Sequence, residues 1–308
     1  MNINIRKTIA EYFKQRTLGT LFLTALVNGL NQSSLELARL SAQNKLNRKL
    51  KKKYNYIFDV KHTPIHRIKE NLSNDVIWIA WDEGMDSAPQ VVQKCYKSAQ
   101  KNLKGKKIIV ITKENMNDFI IFPEYINKKY KEGLISKTHF SDLLRVELLS
   151  TYGGTWVDST VFFSDSIFPE AFFTSELFFF QNLKPGKNGD AVALSSWFIH
   201  AEPEHQVILN TREMLFDYWK KNNHLVDYFL LHQFLSISLN FYERNGTLIP
   251  RYSNSQPHVF QLEWKNTYDI ERYNLILSSS AIHKLTYKNI PSSTNSLYEH
   301  WIKENLNE

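Results

Sequence analysis

Apolar side chains fall at helical spacing over the first seventy or so residues, then switch to short dense runs separated by helices. Ile9, Tyr12 and Phe13, and later Leu21 and Ala25, recur at three- and four-residue intervals. Ser33-Ser34 offers an N-cap ahead of a helix over Leu35–Leu50. Asp75 to Trp81, apolar throughout from Val76, predicts a buried strand. A helix follows from Ala88-Pro89 to Lys101, with proline near its first turn. Lys107 to Thr112 is a second strand, so strand, helix and strand form a parallel unit with a right-handed crossover. A short helix is expected over Asn115–Phe122 and another over Tyr125–Ile135. Phe172, Phe173 and Phe178–Phe180 predict aromatic-rich strands, and Ser195–His200 a further strand. Two long helices close the pattern, Glu204–Lys221 and Val226–Asn240. The class is α/β, with a mixed sheet flanked by helices. Two parts are expected: a helical extension over 1–72 and a larger domain over 73–308.

The densest signal lies between Ser141 and Asp165. Leu143, Leu144, Val146, Leu148 and Leu149 make one apolar face of a helix over Lys137–Tyr152. Gly153-Gly154 stops it, because glycine enters left-handed turns without strain. Thr155-Trp156-Val157 is β-prone and starts a strand expected to run to Phe163. Asp158 then falls at a strand end, where open α/β sheets carry ligand chemistry. Asp142 and Arg145 are three apart on one helical face and can reach one ligand; the plain alternative is a surface ion pair worth a few tenths of a kcal/mol.

Composition narrows the class. Hydrophobic residues make up 43% and aromatic ones 14%, as in a folded chain. Cys95 is the single cysteine, which excludes an intrachain disulfide and suits a reducing compartment. The net charge of +7 is uneven. Residues 1–72 hold 14 Lys/Arg against 4 Asp/Glu, a net of +10, and the remaining 24 against 27 give −3. Lys45, Arg48, Lys49, Lys51, Lys52 and Lys53 are the centre of the excess. This cluster reads as a solvated helix face or as an attraction to anionic lipid; no base-reading motif accompanies it, so nucleic acid is not an expected partner. The apolar run Leu18–Leu30 is too short for a span of about 20 residues and reads as a packed or interfacial helix.

Taken together, Ser141, Asp142, Arg145, Tyr152, Gly153, Gly154, Trp156 and Asp158 resemble the sugar-binding region of capsular polysaccharide synthesis proteins, which are related to glycosyltransferase family 32. Val76–Trp81 with Ala88-Pro89, and Ile282–Lys288, extend the resemblance to residues 74–290. It implies a GT-A-like (Rossmann-like) fold and hexosyl transfer, with retention, from a nucleotide diphosphate sugar, UDP-linked first among the candidates. The acceptor would be a saccharide or lipid-linked precursor of a surface polysaccharide. The resemblance also implies Mn²⁺ or Mg²⁺ on Asp158 and His283, phosphate contacts from Lys284 and Lys288, and sugar contacts from Asp142 and Arg145. Trp78 and Trp81 would frame the base, with Asp82 and Glu83 beside it. Ser195, Ser196, Trp197, His200, His232 and Gln233 are candidates for the acceptor side, with Asp227 as a catalytic-face carboxylate. One departure stands out: many relatives read Asp-x-Asp where this chain reads Asp158-Ser159-Thr160, a change that the resemblance to the capsular branch accommodates. That leaves a non-catalytic sugar-nucleotide-binding scaffold as the alternative. The expected place of work is the cytoplasm or the inner face of the plasma membrane.

Overall fold

The computed structural model describes residues 12–304 apart from 14, 63, 64, 71, 73, 74, 184–191 and 245–248. The predicted helical contribution of Ile9 lies outside the described residues, as does the segment 185–190, whose proline, glycines and polar residues predict a loop. Eight strands and eleven α-helices are described. The helices are α1 (Leu18–Asn28), α2 (Gln32–Tyr54), α3 (Gln90–Asn102), α4 (Glu124–Lys131), α5 (Lys137–Tyr152) and α6 (Ala171–Thr174), then α7 (Gln206–Lys221), α8 (Leu230–Arg244), α9 (Val259–Glu263), α10 (Ile270–Ser278) and α11 (Leu297–Lys303). The strands are β1 (Val76–Ala80), β2 (Lys107–Ile111), β3 (Gly154–Val157), β4 (Val161–Phe163), β5 (Leu177–Gln181), β6 (Leu194–Ala201), β7 (Tyr252–Ser253) and β8 (Ile282–Lys284).

Six strands form one mixed sheet in the order β2-β1-β3-β6-β5-β7. β1 runs parallel to β2 and β3, and β6 runs antiparallel to β3 and β5. β4 and β8 make a separate antiparallel pair. Alternation along the strands divides the core into two layers. Trp78, Trp156, Phe179 and Ile199 face one side, where they meet α2, α5, α7 and α8. Ile77, Ile79, Val157, Phe178, Phe180 and Phe198 face the other side, with Ala99 of α3. The basic N-terminal segment takes part in this packing: Leu46, Leu50 and Tyr54 of α2 enter the first layer, and Asn47 Nδ2 donates to Gln233 Oε1 at 2.8 Å.

Three local expectations change. The strand predicted over Thr155–Phe163 is two strands, because the chain turns at 158–160, where the Val161 N–H bonds the Asp158 carbonyl at 3.0 Å. Phe172 and Phe173 lie in the helical turn α6 rather than in a strand. Asn115–Phe122 holds only a single 3₁₀ turn, Met116–Asp118, in which Asn115 bonds the backbone at Thr112 and Val110 and so competes with helix formation.

Candidate active site

α5 is placed by both of its ends. Ser136 caps its start by accepting from the His139 N–H, and Gly153 ends it with φ at +68°. A Cβ on Gly153 would lie 2.6 Å from Pro203 Cδ and 2.8 Å from the Ala201 carbonyl, so only glycine lets α5 hand the chain to β3 this tightly. Along the helix, a buried ion pair between Glu147 and Arg212 fixes α5 to α7. These contacts bring Asp142 and Arg145 under the end of β3.

Arg145 braces the cluster. One guanidinium nitrogen, Nη2, lies 3.4 Å from Asp142 Oδ1 and 3.4 Å from Asp158 Oδ1. Nη1 donates to the Ser196 carbonyl of β6, and the guanidinium sits over the Trp156 ring, 4.8 Å from its centre. The other oxygen of Asp142 pairs with His139 Nδ1 at 3.1 Å. His139, Asp142 and Arg145 are all buried. Asp158 and Lys284 are the parts that solvent reaches, with side chains 26% and 19% exposed. The Trp156 indole donates to Asp158 Oδ1 at 2.9 Å, and Lys284 Nζ lies 3.5 Å from Asp158 Oδ2. Lys284 also donates to the Thr160 hydroxyl at 2.6 Å and to the Leu285 carbonyl at 3.1 Å. Burial alone would raise the Asp158 carboxyl; Arg145, Lys284 and the indole outweigh it and hold it below its ordinary value. Asp158 is thus a fixed carboxylate.

The pairing of β4 with β8 separates two neighbours. Val161 faces Lys284 and Phe162 faces His283, so the two side chains leave β8 on opposite faces. Lys284 goes to Asp158. His283 is fully buried against Phe162 and Phe260, and its Nε2 bonds the Ser164 hydroxyl at 3.0 Å. Burial lowers His283 to about 4, so it is neutral at pH 7.

A divalent cation on a diphosphate wants several hard, anionic oxygens. The residues here do not fit one. His283 is turned away, Thr160 carries no charge, and both Asp158 oxygens already face cations or donors. Among the described residues no group of three His, Cys, Asp or Glu could hold a metal ion. A doubly charged ion about 4 Å from the Lys284 ammonium would also be repelled by ~8 kcal/mol at an effective dielectric near 20. The expected Mn²⁺ or Mg²⁺ site on Asp158 and His283 is therefore not formed by this donor set.

The remaining candidates divide. Trp81 is half-buried at the end of β1 and meets the ring of Tyr287 edge-on at 5.5 Å, and Tyr287 follows Lys284 by three residues. Trp78 is core: fully buried, it donates to the Gly153 carbonyl at 2.9 Å and packs on Tyr152. Asp82 and Glu83 pair with Lys137 at the start of α5. Lys288 is exposed, its ammonium 5.6 Å from the Tyr287 ring centre. Asp227 is buried and accepts from the Phe229 N–H at 3.0 Å, in the turn that opens α8. That turn presents Tyr228 and the first turn of α8 presents His232; both feel the charges of Asp142, Arg145 and Asp158. Burial lowers His232 to about 4 and raises Tyr228. Gln233 faces α2 instead. Ser196 contributes its carbonyl, Trp197 stacks on Phe180 and donates to Asn254, and His200 bonds Thr155 at 2.8 Å. His139, Tyr228 and Tyr287 were not singled out as site residues by sequence, and Trp156 was named only as part of the motif. His139 had a readable signal, three positions before Asp142 on the same helical face. An open surface hollow lined by Tyr268, Ser296, His300 and Lys303 includes none of the residues of this cluster.

A family model described as capsular polysaccharide synthesis protein matches residues 27–301, nearly the whole chain. The chain belongs to that family. The match takes in α2, both layers of the sheet and the β8 segment that carries Lys284. Among curated proteins none matches significantly. Among solved structures the chain is similar to one titled "PaToxG Glycosyltransferase", with 18% identity, 67% of this chain and 85% of that chain covered, and a TM-score of 0.35. So distant a likeness carries no argument.

Proposed function

We propose that this member of the capsular polysaccharide synthesis family is a GT-A-like glycosyltransferase. It moves a hexose or N-acetylhexosamine, with retention, from a nucleotide diphosphate sugar to a growing surface polysaccharide. The observation that carries the reading is the pairing of Asp158 with Arg145 and Lys284 at the end of β3. A fixed carboxylate beside a partly exposed ammonium suits a sugar that must be held by its hydroxyls and a diphosphate that must be neutralised. The lone pair of Asp158 left by its three partners takes a sugar hydroxyl, Arg145 and Asp142 hold it in place, and Lys284 meets the diphosphate. Trp81 and Tyr287 frame the base, UDP-linked donors being the first to test. Tyr228 and His232 border the acceptor side. Thermal unfolding of the protein with a panel of nucleotide sugars tests the reading. At least one donor should raise the midpoint, and Asp158→Asn should abolish the rise. A panel that leaves the midpoint unmoved counts against any sugar-nucleotide role.

A lipid-linked acceptor places the work at a membrane surface, and α1 supports this. Gly19, Phe22, Leu23, Leu26 and Val27 lie on one face of that helix and point to solvent, Val27 being 80% exposed. The opposite face, with Leu18, Leu21 and Ala25, rests half-buried beside α2. No helix among the described residues is long and apolar enough to cross a membrane. At the base of the hairpin Lys49 donates to the carbonyls of Gln15 and Arg16, and Lys45 to Thr20. Burial and then the neighbouring Lys45 and Arg16 lower Lys49, a crowding of positive charge that anionic headgroups relieve. We read α1 as an interfacial helix resting on anionic lipid.

A further inference from the structure

We propose that Lys284 stands in for the divalent cation, so that donor binding and sugar transfer run without a metal. This rests on the sugar-nucleotide reading above and specifies how the same site neutralises its leaving group. Three observations combine. Lys284 alone of the two β8 candidates reaches Asp158, because strand alternation sends His283 into the aromatic core. Two residues after Asp158 stands the uncharged Thr160, and its hydroxyl accepts from the Lys284 ammonium at 2.6 Å. Both oxygens of Asp158 are occupied, one by the Trp156 indole and Arg145, the other by Lys284. The cation that a diphosphate needs is therefore built into the chain, and the hydroxyl of Thr160 aims it.

In the transfer, the bond from the anomeric carbon to the β-phosphate oxygen breaks, and its electron pair stays on the diphosphate. The acceptor hydroxyl oxygen bonds that carbon, and its proton passes to the released diphosphate. Lys284 stabilises the charge that grows on the leaving oxygen, as a charge-assisted donor does. Arg145 contributes at longer range through Asp158, so it is a positioning residue.

The test is titration calorimetry of UDP, GDP and inorganic pyrophosphate, each in excess chelator and each in excess Mn²⁺. At least one nucleotide should bind with affinity that agrees within about twofold between the two conditions, well inside the tenfold that 1.4 kcal/mol represents. Lys284→Met should weaken it at least about tenfold, the usual scale for a lost charge-assisted bond. Lys284→Arg should restore most of the loss, and unfolding midpoints of both variants establish that they fold. The double variant Lys284→Met with Thr160→Asp should turn the site into one that binds the nucleotide only with Mn²⁺. Wild-type binding that disappears in chelator overturns the inference and leaves the sugar-nucleotide reading standing. Wild-type affinity in a folded Lys284→Met does the same. If nothing in the panel binds in either condition, both fall.

Discussion

Asp158→Asn separates stability from activity, and the structure sets both magnitudes. Asparagine keeps the volume and keeps an oxygen for the Trp156 indole. Only the charge is lost. Arg145 retains Asp142 at 3.4 Å and the Ser196 carbonyl, and Lys284 retains Thr160 and the Leu285 carbonyl. Neither cation is stranded, so the loss stays below the 3–5 kcal/mol typical of a broken buried pair, at about 1–2 kcal/mol. The 26% exposure of Asp158 works in the same direction. For a chain of this size that is a fall of roughly 1.5–3 °C in the unfolding midpoint. Activity should fall about 10²- to 10³-fold or more, the scale of losing one preorganised polar contact to the reacting group. The pH dependence has a definite sign. The folded pKa of Asp158 is below its ordinary value, so its contribution is complete above the unfolded value of about 3.9 and disappears as pH falls through the folded pKa. The difference in stability between wild type and variant should be flat from pH 5 to 8 and shrink below about pH 4. Thermal melts across pH, with nucleotide release measured on the same samples, read all three quantities. A variant that melts within a few degrees of wild type yet keeps full turnover refutes the placement of Asp158 at the reacting sugar. A variant that does not fold refutes the bookkeeping of its neighbours.

Gly153→Ala should cost about 2–5 kcal/mol, from a left-handed φ and a Cβ pressed on Pro203, and calorimetric melting measures it; an unchanged midpoint contradicts the geometry. His200 and His283 are both buried and lowered to about 4, so each favours folding above pH 6.5 and loses that contribution as pH falls from 6.5 towards 4, by up to about 1.4 kcal/mol per pH unit. Replacing His283 by Gln should flatten part of that acid slope in denaturant titrations, and an unaltered slope removes His283 from the cause. Leu26→Ser with Val27→Ser should release the protein from anionic vesicles, and salt should weaken wild-type binding as screening shortens from about 10 Å at 0.1 M to about 3 Å at 1 M. Wild type that ignores such vesicles at low salt makes α1 no lipid contact.

The helix–glycine–strand run from Lys137 to Asp158 was legible because each part depends on near neighbours: apolar spacing, a glycine stop, and β-prone residues after it. The same locality explains β1, α3 and β2. What was not legible depends on partners far along the chain. The turn at 158–160 exists because β4 leaves the main sheet to pair with β8, over a hundred residues later. Which of His283 and Lys284 reaches Asp158 follows from the register of that pair, and a one-residue slip would exchange them. Trp78 and Trp81 read alike in sequence, yet three positions along a strand separate core from rim. Asp142 and Arg145 were placed together by their spacing, which also reaches His139, but spacing did not reveal that the distant Ser196 carbonyl would tie Arg145 down so closely.

The central claim is sugar transfer at Asp158, and the most direct measurement is release of nucleoside diphosphate from a panel of nucleotide sugars, with and without short saccharide acceptors. Wild type should release it from at least one donor, faster with an acceptor present; Asp158→Asn should be slower by about 10²-fold or more and Lys284→Met by about tenfold or more, both remaining folded. Donors that bind wild type but are never turned over would contradict the account and make the chain a sugar-nucleotide-binding scaffold.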